Sequence, residues 1–201
     1  MQSVAFFHQK GGTGKSTLAM ASALFCAAQG HRVILVDVDN QGTTTHWWQQ
    51  CAHHYPDLAL ETRGQLQESL PALLPRLSHS FDLCLIDAPP ALTQSTIKML
   101  EYCDGLIIPT RPSPPDLWAL ERLSMLLHTP PLDTLSHRLV FNQHQGEDLS
   151  LLQNMPAVQD LDHHPTVIPY HEAYPALFLG QPLTLAIKQQ MAALMSSWLP
   201  Q

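Results

Sequence analysis

The stretch from residue 11 to residue 17, G-G-T-G-K-S-T, combines glycines, a lysine and hydroxyl side chains in a pattern suited to a polyphosphate. Its glycines permit positive φ and a close backbone approach, so that successive N–H groups can converge on one anion. Lys15 can neutralise the β- and γ-phosphates, the Ser16 hydroxyl can complete a Mg²⁺ shell, and Thr17 can donate to a nearer phosphate. We therefore predict a phosphate-binding loop made by Gly11, Gly12, Thr13, Gly14, Lys15, Ser16 and Thr17.

Two later segments carry carboxylates where apolar runs end. In L-V-D-V-D-N-Q-G, Asp37 and Asp39 are two residues apart, and on an extended backbone this spacing turns both side chains to one side. In F-D-L-C-L-I-D-A-P-P, the apolar run ends in Asp87, which is the shape of a Walker B motif whose carboxylate holds Mg²⁺ directly or through water. Ser16 and Asp87 are therefore the predicted magnesium ligands, and Asp37 and Asp39 can both face the phosphate end of the site.

These residues need strands and helices that bring them to one edge of a sheet. Short apolar runs without polar alternation predict buried strands at residues 3–7, 32–36, 83–86, 105–109 and 139–141, with weaker candidates at 58–61 and 166–168. Helical periodicity lies at residues 16–29, 65–77, 93–102, 115–127 and 183–199, and a short helix is expected around 149–154. The alternation predicts an α/β fold, a doubly wound, mostly parallel sheet with helices on both faces and ligands at the carboxyl ends of its strands.

Length and composition favour a single domain over residues 1–201. The net charge is −7 with histidine neutral, and only ten lysines and arginines are present, so the broad basic footprint of a typical duplex-binding protein is missing.

Four cysteines without C-x-x-C spacing predict reduced thiols. The N-terminus does not read as a signal peptide and no apolar stretch reaches the length of a membrane span, so we expect a cytoplasmic protein.

Taken together, the motifs resemble the ParA/MinD family of P-loop ATPases. The stretch K-G-G-T-G-K-S-T is similar to the deviant Walker A motif of that family. The resemblance continues through D-V-D-N-Q-G, L-I-D-A-P-P, L-I-I-P-T-R-P-S-P-P-D-L-W-A-L and V-F-N-Q to V-I-P-Y-H-E-A-Y-P-A-L-F-L-G-Q-P-L near the C-terminus. The short length is similar to that of small ParA proteins, the ParF-like partition ATPases and their cargo-positioning relatives. This implies a P-loop NTPase fold of the SIMIBI type that binds ATP with Mg²⁺ and hydrolyses it slowly.

The resemblance also implies catalytic roles. Lys10 corresponds to the lysine that reaches across a dimer interface to phosphates bound by the other subunit, which makes ATP the switch for homodimer formation. Lys15 serves the phosphates of its own subunit, and Asp39 orients or activates the attacking water. Asp37 supports the phosphate–metal region, so the magnesium site implied by the resemblance consists of Ser16, Asp37 and Asp87. Lys10, Lys15 and Asp39 are therefore the implied catalytic residues.

The nucleotide base has implied partners as well. Asn142 corresponds to the residue whose side chain contacts the adenine ring, and Pro169 and Tyr170 lie where a loop flanks the base. His8 and Asn40 depart from the asparagine and proline that the family often has at these positions.

The function implied by the resemblance is that of a ParA-like ATPase. Its ATP-bound homodimer binds nucleoid DNA and positions or segregates a cargo, which is a plasmid, a chromosome, a carboxysome or another protein assembly. A ParB-like or adaptor protein stimulates hydrolysis and resets the cycle. The charge gives DNA binding little support, because Lys188 is the only lysine or arginine in residues 143–201; earlier candidates are Arg111, Arg122 and Arg138.

Other functions on the same loop stay open. One is a metabolic or electron-transfer relative; a reductase of this kind needs cysteines placed to share an iron–sulfur cluster across the dimer, and Cys103 has no glycine-rich cluster loop around it. A MinD-like regulator at a membrane surface needs an amphipathic helix with a basic face, whereas the last predicted helix carries only Lys188, which favours core packing and no membrane partner. Trp47 and Trp48 fit equally a partner-binding anchor and a helix packed on the sheet.

Overall fold

The computed structural model describes residues 1–64, 68–164 and 166–199. Its strands are β1 Gln2–Phe6, β2 Val33–Asp37, β3 Leu60–Arg63, β4 Leu83–Asp87, β5 Gly105–Thr110, β6 Ser136–His144 and β7 Ile168–Pro169. Within these ranges the strands form one sheet in the order β3-β2-β4-β1-β5-β6-β7, and every pairing is parallel. The predicted doubly wound α/β architecture is therefore confirmed.

The helices follow the strands in alternation. They are α1 Lys15–Ala28, α2 Thr43–Cys51, α3 Leu70–Leu77, α4 Gln94–Leu100, α5 Pro114–Trp118, α6 Glu121–Leu127, α7 Leu149–Gln153, α8 Pro156–Gln159, α9 Ala173–Ala176 and α10 Leu185–Met195. Two 3₁₀ turns, Ala52–His54 and Leu177–Leu179, extend α2 and α9.

Both faces of the sheet are covered, which explains the missing polar alternation in its strands. Along β2, Val33 and Leu35 belong to one apolar cluster and Ile34 and Val36 to the other. Helices α1, α2, α9 and α10 complete the first cluster, and α3 to α8 complete the second. Since successive side chains of a strand point to opposite faces, a strand buried on both sides must be apolar throughout.

Some predicted helices differ from the observed ones. The segment 115–127 forms two helices because the amide of Leu120 bonds the carbonyl of Leu117, a 3₁₀ turn that interrupts the α-helical pattern. Helices α8 and α9 lie outside the predicted segments, and α2 matches the helix that was one of the two interpretations of Trp47 and Trp48. The helix predicted at 65–77 is α3, which begins after Ser69 with a proline in its first turn; residues 65–67 lie outside the described part.

The last helix packs into the core beside α1, as the sequence indicated, with Leu194, Met195 and Trp198 buried. Trp47 is buried as well and donates its Nε1–H to the carbonyl of Leu177 at 3.0 Å, while Trp48 is half-buried. Among the described residues, no helix combines the length and apolar character needed to cross a membrane.

Candidate nucleotide-binding site

The strand order brings the predicted site residues to one edge of the sheet. Strand β4 lies between β1 and β2, and its last residue, Asp87, is in register with Phe6 of β1 and Asp37 of β2. The phosphate-binding loop follows β1 directly and leads into α1. The carboxyl ends of these three strands therefore place the loop beside both carboxylates, as in other open α/β sheets.

The loop needs glycine at two positions where the backbone is left-handed. Gly12 has φ 77° and Gly14 has φ 98°, a region that other residues enter only with strain. A Cβ at Gly14 would also lie 2.1 Å from Nδ2 of Asn142, so that no side chain fits there. Gly14 is the residue directly before α1, and the first amides of that helix face the space an anion would occupy.

Lys15 is buried at the start of α1. Its Nζ donates to the carbonyl of Lys10 at 3.1 Å, which folds the ammonium back over the loop. Burial lowers the pKa of Lys15, and the charges of Asp87 and Asp39 offset part of this effect. A buried cation that is held by one carbonyl is well placed to gain from an incoming phosphate.

Asp87 and Asp37 are buried with oxygens that nothing in the described chain satisfies. The amide of Thr45 donates to Asp37 Oδ2 at 3.0 Å. Asp37 Oδ1 and both oxygens of Asp87, in contrast, accept no hydrogen bond of good geometry from the described residues, although the Ser16 side chain lies near enough to Asp87 to stabilise its charge. Burial raises the pKa of Asp87 to about 7; Asp37 and Asp39 add to the rise, whereas Ser16 and Lys15 oppose it. Buried polar atoms are normally paired, so three such oxygens mark a place for a group that the chain does not supply.

These oxygens fit the predicted magnesium ion. Carboxylate and hydroxyl oxygens are the ligands that Mg²⁺ prefers, and Ser16 lies close enough to Asp87 to affect its ionisation. In the described part of the chain, no three His, Cys, Asp or Glu side chains converge as a metal-binding group. Mg²⁺ held by Ser16, Asp37 and Asp87 would therefore share its coordination with phosphate oxygens and water.

Asp39 lies at the open side of this arrangement. The Gln41 amide donates to Asp39 Oδ1 at 3.0 Å, which fixes the carboxylate in the turn before α2. A cleft of about 1420 Å³, lined by α2, by the start of α3 and by residues along α4, opens beside Asp37 and Asp39. The lining includes Asp37 and Asp39 but no residue of the phosphate-binding loop. The cleft therefore gives water access to the side of the site where Asp39 lies.

The predicted base contacts lie together at the ends of β6 and β7. Asn142 donates from Nδ2 to the carbonyl of Thr13 at 2.7 Å, and Ile168 of β7 is its partner in the sheet. Pro169 and Tyr170 follow. The backbone amide of Tyr170 donates to the carbonyl of His144 at 2.9 Å, and the Tyr170 side chain is exposed. Asn142 thus borders the phosphate-binding loop, and contact of Asn142, Pro169 and Tyr170 with adenine stays a prediction.

Lys10 directly precedes the phosphate-binding loop, and its side chain has a different partner from that of Lys15. Its Nζ is 3.4 Å from Oδ2 of Asp116, and its amide donates to Nδ1 of His8 at 2.9 Å. His8 is fully buried; burial, together with the charge of Lys15, lowers its pKa to about 4. It is therefore a neutral acceptor at physiological pH, with the proton on Nε2.

Three residues of this site were not expected from the sequence: His8 as a structural acceptor, Asp116, and Gln143. Gln143 has φ 58°, a left-handed value in a residue other than glycine, and donates from Nε2 to the carbonyl of Gly12 at 2.8 Å. The signal for His8 was its departure from the asparagine that the family often has. Asp116 lies in the quoted P-S-P-P-D-L-W segment, but its spacing does not reveal a partner in the loop.

Comparison with known proteins agrees with this geometry. Residues 4–181 match the CobQ/CobB/MinD/ParA nucleotide binding domain. Maintenance of carboxysome distribution protein A from Gloeobacter kilaueensis is 40% identical over 120 residues, which cover 58% of this chain and 52% of that protein. The chromosome-partitioning ATPase Soj from Thermus thermophilus is 31% identical over 153 residues, which cover 63% of this chain and 60% of that protein. The chain thus spans a little more than half the length of these relatives.

A solved structure has the same fold along nearly the whole chain. A plasmid partition protein from Borrelia burgdorferi B31, bound to AMPPNP, superposes with a TM-score of 0.76 at 15% identity and covers 97% of both chains. At that identity the likeness shows the fold, while the match over residues 4–181 shows the family. The chain therefore belongs to the CobQ/CobB/MinD/ParA family of P-loop nucleotide-binding proteins, which confirms the resemblance seen in its motifs.

Proposed function

We propose that this protein is a ParA-type ATPase that dimerises when it binds ATP and uses hydrolysis to position or segregate a cargo. One observation carries the proposal: the phosphate-binding loop with Lys15 lies beside three unsatisfied carboxylate oxygens of Asp37 and Asp87. A cradle for phosphate next to acidic ligands for a cation is the arrangement that a Mg²⁺-bound nucleoside triphosphate requires.

In this proposal the chain's own residues bind and orient the triphosphate. The loop amides and the N-terminus of α1 receive the phosphates, and Lys15 exchanges the carbonyl of Lys10 for them. Magnesium, when bound, adds positive charge against the β- and γ-phosphates. Asp39 orients a water molecule that attacks the γ-phosphorus; the new O–P bond forms as the bond to the β-phosphate oxygen breaks, leaving ADP and phosphate.

Lys10 completes the site in a second copy. It extends from the loop of one protomer to the triphosphate of the other, so that two basic loops face each other only when anions lie between them. Hydrolysis stays slow because the site is complete only in the dimer and a partner must stimulate it.

The biological setting is proposed from the family. Relatives named for carboxysome distribution and chromosome partitioning support a cytoplasmic role in positioning a cargo. In this role the ATP-bound dimer binds nucleoid DNA and a ParB-like or adaptor protein triggers release. The candidate phosphate contacts are Arg111, Arg122, Arg138 and Lys188, and because such contacts release counterions from DNA, the affinity for DNA falls as salt is added.

A reductase function is disfavoured by the state of Cys103. Burial raises the pKa of its thiol, and Cys84 and Asp104 raise it further. Its Sγ lies 3.4 Å from the carbonyl of Met99, to which the thiol donates. A thiol that is held protonated in this way is a poor ligand for an iron–sulfur cluster, which requires thiolate.

Light scattering with a non-hydrolysable ATP analogue and Mg²⁺ tests the proposal. The wild-type mass should double, whereas Lys10→Ala should bind the nucleotide and stay monomeric. Lys15→Ala should lose nucleotide binding, and Lys188→Ala, which removes an exposed lysine, should behave as wild type in both respects. A wild-type protein that is saturated with nucleotide and still monomeric contradicts the proposal.

DNA binding is tested separately by retention of the ATP-bound protein on DNA. Retention at low salt that falls steeply with added salt supports nucleoid binding, whereas no retention at low salt contradicts it.

A further inference from the structure

The side chain of Lys10 is bound within its own subunit. Its Nζ lies 3.4 Å from Oδ2 of Asp116, which is at the start of α5. The two partners differ in burial, since the Lys10 side chain is 38% exposed and that of Asp116 only 3%. The lysine is therefore free to swing outward, whereas the carboxylate stays fixed.

Asp116 is held ionised by several groups. The hydroxyl of Ser113 donates to its Oδ2, and Arg111 donates to its Oδ1 from Nε at 3.3 Å and from Nη2 at 3.1 Å. Burial raises the pKa of Asp116, but Ser113, Arg111 and Lys10 outweigh this effect, so that the pKa lies below its usual value. A fixed negative charge thus faces Lys10 in the isolated protomer.

The backbone of Lys10 is fixed while its side chain has room to move. Its amide is bonded to His8 Nδ1, and its carbonyl accepts from Lys15. A cleft of about 430 Å³ opens at the Lys10–Asp116 pair and is lined also by Gln143 and Glu147. A change of partner by Lys10 therefore needs only rotation of its side chain.

We infer that Asp116 is an intramolecular competitor for Lys10, and that dimerisation requires Lys10 to leave this carboxylate for the triphosphate of a second copy. The inference rests on the proposed function, because it assumes that Lys10 crosses the interface. Each protomer must release one lysine, so the cost of release enters the dimerisation equilibrium twice. Asp116 thereby sets the nucleotide and protein concentrations at which dimers form.

Arg111 makes this release reversible. When Lys10 departs, Asp116 keeps the guanidinium of Arg111 and the hydroxyl of Ser113, so that no buried charge is left without a partner. Without Arg111, departure of Lys10 would leave a buried carboxylate with a hydroxyl alone. Asp116 and Arg111 should therefore have opposite effects on dimerisation, although they are partners in one ion pair.

Sedimentation of wild type and variants over a range of protein concentrations, with a non-hydrolysable ATP analogue and Mg²⁺, tests this. Asp116→Asn should lower the dimer dissociation constant about tenfold because Lys10 is no longer retained. Arg111→Gln, a change at a side chain that is 40% exposed, should raise it about tenfold because Lys10 becomes the main counterion of Asp116. A purely structural role for this cluster would move both variants in the same direction.

Two controls define the origin of the effect. Asp82→Asn removes the same charge from another carboxylate paired with an arginine, Arg32 at 2.6 Å, and should leave the dissociation constant unchanged. Lys10→Ala combined with Asp116→Asn should be as monomeric as Lys10→Ala alone, because the gain requires the lysine.

The outcomes separate the inference from the proposed function. If wild type dimerises with nucleotide but Asp116→Asn does not dimerise more tightly, the inference is overturned and the proposed function stands. If Asp116→Asn does not fold, an unchanged or tighter Arg111→Gln dimer overturns the inference in its place. If nucleotide-saturated wild type never dimerises, both are overturned.

Discussion

The side-chain amide of Asn142 donates to the carbonyl of Thr13 at 2.7 Å, which ties the carboxyl-terminal half of β6 to the phosphate-binding loop. Both side chains are buried, so this bond lies in a region of low dielectric and holds the loop firmly. The amide also occupies the space in front of Gly14. The loop conformation is therefore set by a strand more than 120 residues away in sequence as well as by its own glycines.

Gly14→Ala should abolish nucleotide binding and lower the free energy of unfolding by on the order of 3 kcal/mol. The new Cβ would combine a strained φ of 98° with an approach of 2.1 Å to Asn142 Nδ2. Thermal unfolding and nucleotide titration measure both effects. Gly30→Ala is the control, since φ is 92° there but an added Cβ would have no atom within 4 Å apart from the neighbouring residues. This variant should lower the free energy of unfolding by about 1 kcal/mol and retain nucleotide binding. Adding Asn142→Ala to Gly14→Ala should recover part of the lost stability; no recovery would mean that the contact is not the cause.

Asp39→Ala should bind ATP, accumulate as a dimer and lose hydrolysis by a factor of about 10² to 10⁴, because no carboxylate then orients the attacking water. Phosphate release and light scattering on the same sample measure the two properties. Asp57→Ala, at an exposed aspartate, should leave both unchanged. Hydrolysis at the wild-type rate in Asp39→Ala would contradict the role given to this residue.

Asp87→Asn should remove most of the extra thermal stability that Mg²⁺ gives to the nucleotide-bound protein. The substitution deletes the carboxylate whose two unpaired oxygens are the proposed cation ligands. Without nucleotide or metal, the same variant should be more stable than wild type at pH 8 by on the order of 2 kcal/mol, since burial raises the pKa of Asp87 to about 7 and Lys15 and Ser16 compensate its ionised form only in part. Unfolding with and without a chelator measures both. A Mg²⁺ effect as large as that of wild type would place the cation elsewhere.

His8→Asn should make the protein less sensitive to acid. The pKa of His8 is about 4 in the folded protein and near 6.5 when unfolded, so the unfolded chain binds a proton first as the pH falls. This residue therefore contributes a loss of on the order of 2 kcal/mol in wild-type stability between pH 6.5 and pH 4.5. Asparagine can still accept from the Lys10 amide but does not titrate. The measurement is the free energy of unfolding between pH 6.5 and pH 4.5 for wild type, His8→Asn and the control His53→Asn, which changes an exposed histidine. Only His8→Asn should show a weaker dependence on pH; the same dependence in all three proteins would refute the low pKa of His8.

The parts of the site that follow directly from one strand could be predicted from the sequence. Gly14 and Lys15 come after β1, and Asp87 ends β4, so an apolar run followed by a polar residue was a sufficient signal. Asp37 and Asp87 lie side by side because they are in register at the ends of the neighbouring strands β2 and β4. The family membership rested on the same local motifs and was confirmed by the match over residues 4–181.

The contacts of Lys10 could not be predicted in this way. Asp116 is far from Lys10 in sequence and meets it only because β5 pairs with β1, which brings the start of α5 beside the loop. Spacing within a segment says nothing about which strands become neighbours. The break near Leu120 was hidden for a similar reason, because apolar periodicity continues through a 3₁₀ turn.

The indole of Trp47 joins helix α2 to the 3₁₀ turn that follows α9. Helix α2 begins where the amide of Thr45 holds Asp37, and two residues later Trp47 is bonded to the carbonyl of Leu177, beyond the segment with Pro169 and Tyr170. Its ring also lies 5.3 Å from that of Trp48. Filling of the site should therefore alter the environment of a natural fluorophore, and the protein's intrinsic emission would follow nucleotide exchange in real time without any attached dye.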